Sequence, residues 1–126
     1  MRLDHINIAA PMVLLTATRD FYCDVVGLEE GPRPSFTFRG FWLYGEGQPI
    51  VHLMESDIHR RAEQPHHLDH VAFRMTDSKA YIERLQAHSI DYKTKNIAEF
   101  KIAQIFCQDP CGNGVEINFA NETIDL

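Results

Sequence analysis

Four side chains that could bind a metal ion occupy equivalent positions in two similar stretches of the sequence. His5 and His70 each follow an aspartate at the start of an apolar segment, 65 positions apart. His52 and Glu116 lie 64 positions apart in two later apolar segments. Imidazole nitrogens and carboxylate oxygens suit first-row divalent metals such as Zn, Ni, Co, Mn and Fe. The matched spacing therefore predicts one divalent metal ion bound by all four side chains.

The surroundings of these four side chains favour the same interpretation. Alternate residues of a β-strand share a face, and the residues that share a face with the four are mostly apolar or small. Burying an unpaired polar group costs on the order of a few kcal/mol, which a bound cation would offset for all four together. Glu116 is the only carboxylate of the set and is the candidate catalytic general base.

The elements that must position these residues occur twice, in the same order. Apolar alternation and helical spacing predict a strand, a helix and three strands in each half, so the fold class is α+β with two β-α-β-β-β modules. The first-half elements are predicted at 3–8, 16–26 (the helix), 35–39, 41–44 and 49–54. The second-half elements are predicted at 68–74, 78–87 (the helix), 90–93, 103–107 and 115–119.

The chain is predicted to form a single domain, residues 1–126. Its modules cover 1–55 and 68–126, and a polar segment, 56–67, connects them. A short helix over 57–63 is left open. A turn is predicted at 109–112, where Asp-Pro-Cys-Gly precedes the last strand.

Composition excludes several function classes. The chain has 12 basic and 18 acidic residues and a net charge of −6, which argues against binding nucleic acid or an anionic membrane. No apolar run reaches the roughly 20 residues of a membrane span. Three cysteines, an odd number, without an export signal predict free thiols and a cytoplasmic location.

The sequence resembles the vicinal oxygen chelate superfamily. The resemblance rests on the doubled module, on Leu-Asp-His at 3–5, on Asp-His-Val-Ala-Phe at 69–73, and on Asp-Pro-Cys-Gly-Asn at 109–113 followed by Val-Glu-Ile at 115–117. That superfamily includes glyoxalase I, fosfomycin-resistance transferases, extradiol dioxygenases, methylmalonyl-CoA epimerase and bleomycin-resistance proteins. The resemblance covers essentially the whole chain. Its motifs are specific for the superfamily but distinguish poorly between its members.

The resemblance implies a site and an assembly. Each module would curl into a half-barrel, and His5, His70 and Glu116 match the three ligands that most metal-binding members share. His52 matches a fourth ligand, which is a glutamate in typical bacterial glyoxalase I. A homodimer is implied, with sites at the subunit interface. His5 and His52 could then come from one subunit and His70 and Glu116 from its partner.

Three functions remain open at this point. The first is a lyase or isomerase of glyoxalase type, in which the metal acts as a Lewis acid on a small substrate that chelates it through neighbouring oxygens. The second is an extradiol-type iron(II) dioxygenase that uses His5, His70 and Glu116, with His52 in an outer position. The third is a metal-free binding protein like the bleomycin-binding members. Four tetrahedral ligands would instead make a closed, structural zinc site.

Other candidate residues have plainer alternatives. The aromatic run at 36–44 could line a substrate pocket or pack in the core. Arg39 and Lys101 could meet an anionic substrate, although a solvated surface position is favoured. Cys107 and Cys111 are expected to be free thiols beside the turn.

Overall fold

The computed structural model describes residues 1–60 and 67–125, and these fall into two compact units, Met1–Ala62 and Glu63–Leu126. Part of the connecting segment at 56–67, and part of the helix left open at 57–63, lie outside the described residues. The elements of the first unit are β1 (Ile6–Ala10), α1 (Met12–Phe21), β2 (Glu29–Gly31), β3 (Gly40–Gly45) and β4 (Gln48–Glu55). Those of the second are β5 (His70–Met75), α2 (Ser78–Ala87), β6 (Lys93–Ile97), β7 (Ile102–Gln108) and β8 (Gly114–Ala120).

Both units have the same sheet topology. The strand order is β1-β4-β3-β2 in the first and β5-β8-β7-β6 in the second, and in each the first strand pairs in parallel with the last. Each unit thus repeats β-α-β-β-β, which confirms the α+β fold class and the internal duplication. That the two modules make a single domain stays a prediction.

One face of each sheet is buried and the other carries the candidate site. In the first unit Leu43, Val51 and Leu53 are almost fully buried, and in the second Ile105 and Phe119 are. The Tyr81 ring of α2 meets Phe119 edge-on, with ring centroids 5.5 Å apart. Because side chains alternate along a strand, His52 and Glu116 belong to the opposite faces from these apolar residues.

Helix α1 begins earlier than predicted. Pro11 precedes its first residue, and the Pro11 carbonyl accepts the Leu15 amide at 2.9 Å. Thr16 and Thr18 therefore lie inside the helix, where their hydroxyls donate to carbonyls four residues back. The helix continues as a π-helical turn, Tyr22–Val26, and ends as predicted at Gly27, whose φ of 101° suits glycine.

Three strand predictions were wrong in position. The first strand starts at Ile6 rather than residue 3, and Leu3 is 80% exposed. The strand predicted at 35–39 is a loop, since the edge of the sheet is instead β2, paired antiparallel with β3. Strand β6 lies at Lys93–Ile97 rather than 90–93, because Ile90 still closes the end of α2 through a bond to the Leu85 carbonyl.

Residues that follow β8 fold back over the second unit. The Glu122 carboxylate accepts the backbone amides of Asp77 and Ser78 at 2.9 and 2.8 Å, at the start of α2. The Asn96 side chain of β6 forms two bonds with the backbone of Ile124, at 2.7 and 3.0 Å. Asp77 itself caps α2 by accepting the Ala80 amide.

None of the helices among the described residues is long and apolar enough to cross a membrane.

Candidate metal centre

In the first unit, His5 and His52 stack on each other. His5 directly precedes β1 and His52 lies in β4, and their ring centroids are 3.8 Å apart with a 12° interplanar angle. The Trp42 ring, on the paired strand β3, stacks on the other side of His52 at 4.1 Å. The parallel pairing of β1 with β4 brings the two histidines together, since Asn7 pairs directly with His52.

In the second unit, His70 and Glu116 form the corresponding pair. The His70 Nε2 lies 3.3 Å from Glu116 Oε2. Glu116 is only 8% exposed, and its other oxygen accepts a hydrogen bond of 2.7 Å from the Gln104 side-chain amide. Strands β5 and β8 are parallel here, and Ala72, two residues after His70, pairs with Glu116.

Each strand-start histidine is held by the aspartate before it. His5 Nδ1 lies 2.6 Å from Asp4 Oδ2, and His70 Nδ1 lies 2.9 Å from Asp69 Oδ2. An ionised carboxylate only accepts, so Nδ1 donates in both pairs, and the neutral form of each ring has its lone pair on Nε2. The sequence showed both Asp-His pairs as part of the repeat, but their role was not predicted.

His52 is held differently. Its Nε2 lies 3.0 Å from the Pro49 carbonyl, which can only accept, so this nitrogen donates and Nδ1 keeps the lone pair. Burial, and secondly the charge of the neighbouring His5, lower the pKa of His52, so the neutral form that a metal requires is favoured. The stack thus keeps His52 in a form that can ligate.

The hydrogen bonds within the two Asp-His pairs shift the pKa values of His70 and Asp4. The hydrogen bond to Asp69 is the main cause that raises the pKa of His70, against a smaller effect of burial. The hydrogen bond to His5 lowers the pKa of Asp4. Both shifts favour a histidine that donates to an ionised carboxylate.

The four predicted ligands are thus brought together in pairs, His5 with His52 and His70 with Glu116. Within either unit, counting described residues only, no group of three or more His, Cys, Asp and Glu side chains could hold a metal ion. The convergence of both pairs on one ion stays a prediction.

A glycine lets β5 and β8 approach beside His70. Gly114 pairs with His70, and a Cβ at this position would lie 2.3 Å from the Asp69 carbonyl oxygen and 2.9 Å from the His70 Cβ. Such distances are far below van der Waals contact. The absence of a side chain at Gly114 is therefore part of what fixes His70.

Apart from Trp42, which stacks on His52, the other candidates fall outside these pairs. Phe36 and Phe38 stack on each other at 5.0 Å, in the loop that was predicted as a strand, and both are exposed. The Arg33 guanidinium lies over both rings. Arg39 forms an ion pair with Glu55, and Lys101 is exposed in a turn. Cys107 and Cys111 are free thiols, as is Cys23.

Comparison with known proteins matches the chain to one superfamily. The Glyoxalase/Bleomycin resistance protein/Dioxygenase superfamily matches residues 2–117. No curated protein matches the sequence significantly.

Solved structures show the same fold. The fosfomycin resistance protein FosX from Listeria monocytogenes is 20% identical, with a TM-score of 0.72 over 95% of this chain and 93% of that one. Lactoylglutathione lyase from Agrobacterium tumefaciens is 21% identical, with a TM-score of 0.68 over 95% and 94%. FosX has also been solved with Mn(II) and sulfate, at 19% identity and a TM-score of 0.69, over 94% of this chain and 92% of that one.

Proposed function

Because the chain belongs to the glyoxalase/bleomycin resistance protein/dioxygenase superfamily, we propose that it is a divalent-metal-dependent enzyme of glyoxalase type. It would act as a lyase or isomerase on a small substrate that chelates the metal through neighbouring oxygens. The observation that carries the proposal is the pair of His70 Nε2 and Glu116 Oε2, 3.3 Å apart. A buried carboxylate oxygen beside an imidazole nitrogen has the donor chemistry of a metal site.

The donor set fits a first-row divalent metal. His5 and His70 each direct Nδ1 to an aspartate and keep Nε2 for a ligand, the arrangement in which a carboxylate fixes a metal-binding imidazole. His5, His52, His70 and Glu116 would bind one ion per site, of Zn, Ni, Co, Mn or Fe. A bound divalent cation supplies Lewis-acid polarisation of the substrate oxygens. Support comes from FosX, a protein of this fold that has been solved with Mn(II).

Glu116 is the proposed catalytic base. Gln104 holds its Oε1, and Oε2, once released from the metal, would accept a proton from a carbon acid next to the chelating oxygens. Its burial excludes most water, so the carboxylate has few competing partners. Asp4 and Asp69 are positioning residues, since each acts on the site only through its histidine.

The proposed assembly is a homodimer with sites at the subunit interface. Each unit offers two of the four ligands, so a complete set requires one pair from each kind of unit, from the same chain or from two chains. The three free cysteines support a cytoplasmic location.

Metal analysis tests the proposal. The chain, purified without added metal, is compared with His5→Ala and Glu116→Gln, and with Glu99→Gln as a matched control on an exposed turn. We expect bound metal in the wild type and the control, and loss of most of it in both site variants. Equal metal content in all four proteins would contradict the proposal.

One observation favours a second candidate function, that of an iron(II) dioxygenase. Because His52 Nε2 is already bound to the Pro49 carbonyl, His5, His70 and Glu116 could form a two-histidine, one-carboxylate set without it. Oxygen uptake with a catechol in the presence of iron(II) would support this function. Tight zinc or nickel binding without iron-dependent uptake would exclude it.

A further inference from the structure

A row of polar and cationic side chains crosses the second sheet beside Glu116. Asn118 in β8 pairs with Arg74 in β5 on one side and with Gln104 in β7 on the other, and Gln104 pairs with Lys95 in β6. Directly paired residues share a face, so these four side chains, the cationic row, stand on one face of the sheet. They are Arg74, Asn118, Gln104 and Lys95.

The cationic row is on the same face as the catalytic carboxylate. Gln104 donates to Glu116 at 2.7 Å and to Asn118 at 3.0 Å from the same nitrogen. Asn118 follows Glu116 by two positions, which is about 7 Å along a strand. A substrate that reaches Glu116 therefore has the row within the length of a small molecule.

The two cations of the row have no ion-pair partner among the described residues. Among residues 1–60 and 67–125, no carboxylate forms an ion pair with Arg74 or Lys95, and both side chains are exposed. Asn118 uses its oxygen to accept from Gln104, which leaves its Nδ2 group free to donate. Two cations and an amide donor thus line one strip of a chain whose net charge is −6.

The duplication supplies an internal comparison. In the first unit the equivalent row is Ala9 in β1, Met54 in β4 and Gly40 in β3, which pair with one another in the same way. None of these three side chains carries a charge. The common fold therefore does not require a polar row at this level of the sheet.

We propose that the cationic row binds an oxyanionic group of the substrate, a carboxylate or a phosphate-like group separate from the oxygens that chelate the metal. This inference rests on the proposed function and names the substrate class. Arg74 and Lys95 lie about 14 Å apart, three strand spacings, at opposite ends of the row. Their long side chains can converge on an anion above the central amides, where Asn118 Nδ2 adds a neutral donor. The substrate would then be oriented with its anionic end over β8 and β7, about 7 Å from Glu116 along β8.

Anion titration of the full chain in EDTA tests the inference without metal. Inorganic phosphate and acetate are titrated separately at constant ionic strength, and the side-chain amide signals of Asn118 and Gln104 are followed by NMR. We expect saturable shifts of the Asn118 signal with at least one anion. Binding of phosphate alone would assign a phosphate-like group, binding of acetate alone a carboxylate, and binding of both an oxyanion in general.

Matched variants locate the binding. Arg74→Gln and Lys95→Gln should each weaken the anion about tenfold, the loss of one charged hydrogen bond. Lys79→Gln, the same charge change on the exposed side of α2, should leave it unchanged. No saturable shift, or equal weakening in all three variants, would overturn the inference.

The metal analysis and the anion titration can contradict their two proposals independently. If Glu116→Gln and wild type hold equal metal while the row variants lose the anion, the metal site is wrong and the anion site stands. If the site variants lose metal as expected and the anion titration shows no saturation, the metal site stands and the anion site is wrong.

Discussion

Replacement of Asp69 by asparagine should weaken metal binding by about tenfold. Asparagine keeps an oxygen that can accept from His70 Nδ1, so the ring stays in place and only the charge is lost. Removing the outer partner of a metal-binding histidine typically costs 10- to 100-fold in metal affinity. The Asp69 side chain is 82% exposed, and solvent screens its charge, so the lower end applies, about 1.4 kcal/mol.

The loss should depend on pH in a defined direction. Asp69 raises the pKa of His70, so in the wild type protons compete with the metal as pH falls through that raised value. In Asp69→Asn the pKa of His70 returns towards its ordinary value, and protons compete only at lower pH. The deficit of the variant is therefore largest at neutral pH and above, and it narrows in acid.

Competition with a chromophoric zinc chelator over a range of pH measures this effect. Asp4→Asn removes the equivalent charge from the first unit and should also weaken zinc binding. Asp24→Asn, at an exposed position of the π-helical turn, is the matched control. Unchanged affinity in both Asp-His variants, or a tenfold loss in the control, would refute the reasoning.

Three further predictions concern stability, each measured by chemical denaturation. Gly114→Ala should cost about 1–3 kcal/mol, because its Cβ would push β5 away from β8; wild-type stability would refute the packing argument. Glu122→Gln should cost about 0.5–2 kcal/mol at pH 7. The backbone amides of Ser78 and Asp77 lower the pKa of Glu122, so the wild type loses this stabilisation as pH falls through the lowered value. The stabilities of wild type and variant should therefore converge in acid. A stability difference that stays constant with pH would contradict this prediction. Burial raises the pKa of the Cys107 thiol to about 11. Wild-type stability should therefore fall by up to about 3 kcal/mol as pH rises from about 9 to about 11. A fall of the same size in Cys107→Ala would exclude the thiol as its cause.

The fold could be predicted wherever local pattern and pairing agree. The start of α2 at Ser78 and the end of α1 at Gly27 depend on a few adjacent residues, and both were predicted closely. The loop at 35–39 could not be. Its aromatic alternation is typical of a strand, yet Arg33 lies over the Phe36 and Phe38 rings and bonds to the Phe38 carbonyl, which organises the segment as a loop.

The sequence was enough to predict which candidate ligands lie together within each unit, but not how their side chains are held. Strand parity and the repeat were enough to group His70 with Glu116, because the register of β5 and β8 follows from their matched motifs. Side-chain contacts with Asp4 and Asp69 depend on rotamers, which a one-dimensional pattern does not carry. The cationic row was missed because β6 was placed three residues early, which hides the pairing of Lys95 with Gln104.

The segment that follows β8 has a mechanical consequence. Through Glu122 it is fastened to the first turn of α2, and through Ile124 to Asn96 on the outermost strand of the sheet. Two consecutive elements, the helix α2 and the edge strand β6, are therefore held by the same segment. Local unfolding of this segment would release both the first turn of α2 and strand β6. Hydrogen exchange at the two places should therefore depend on the same opening event.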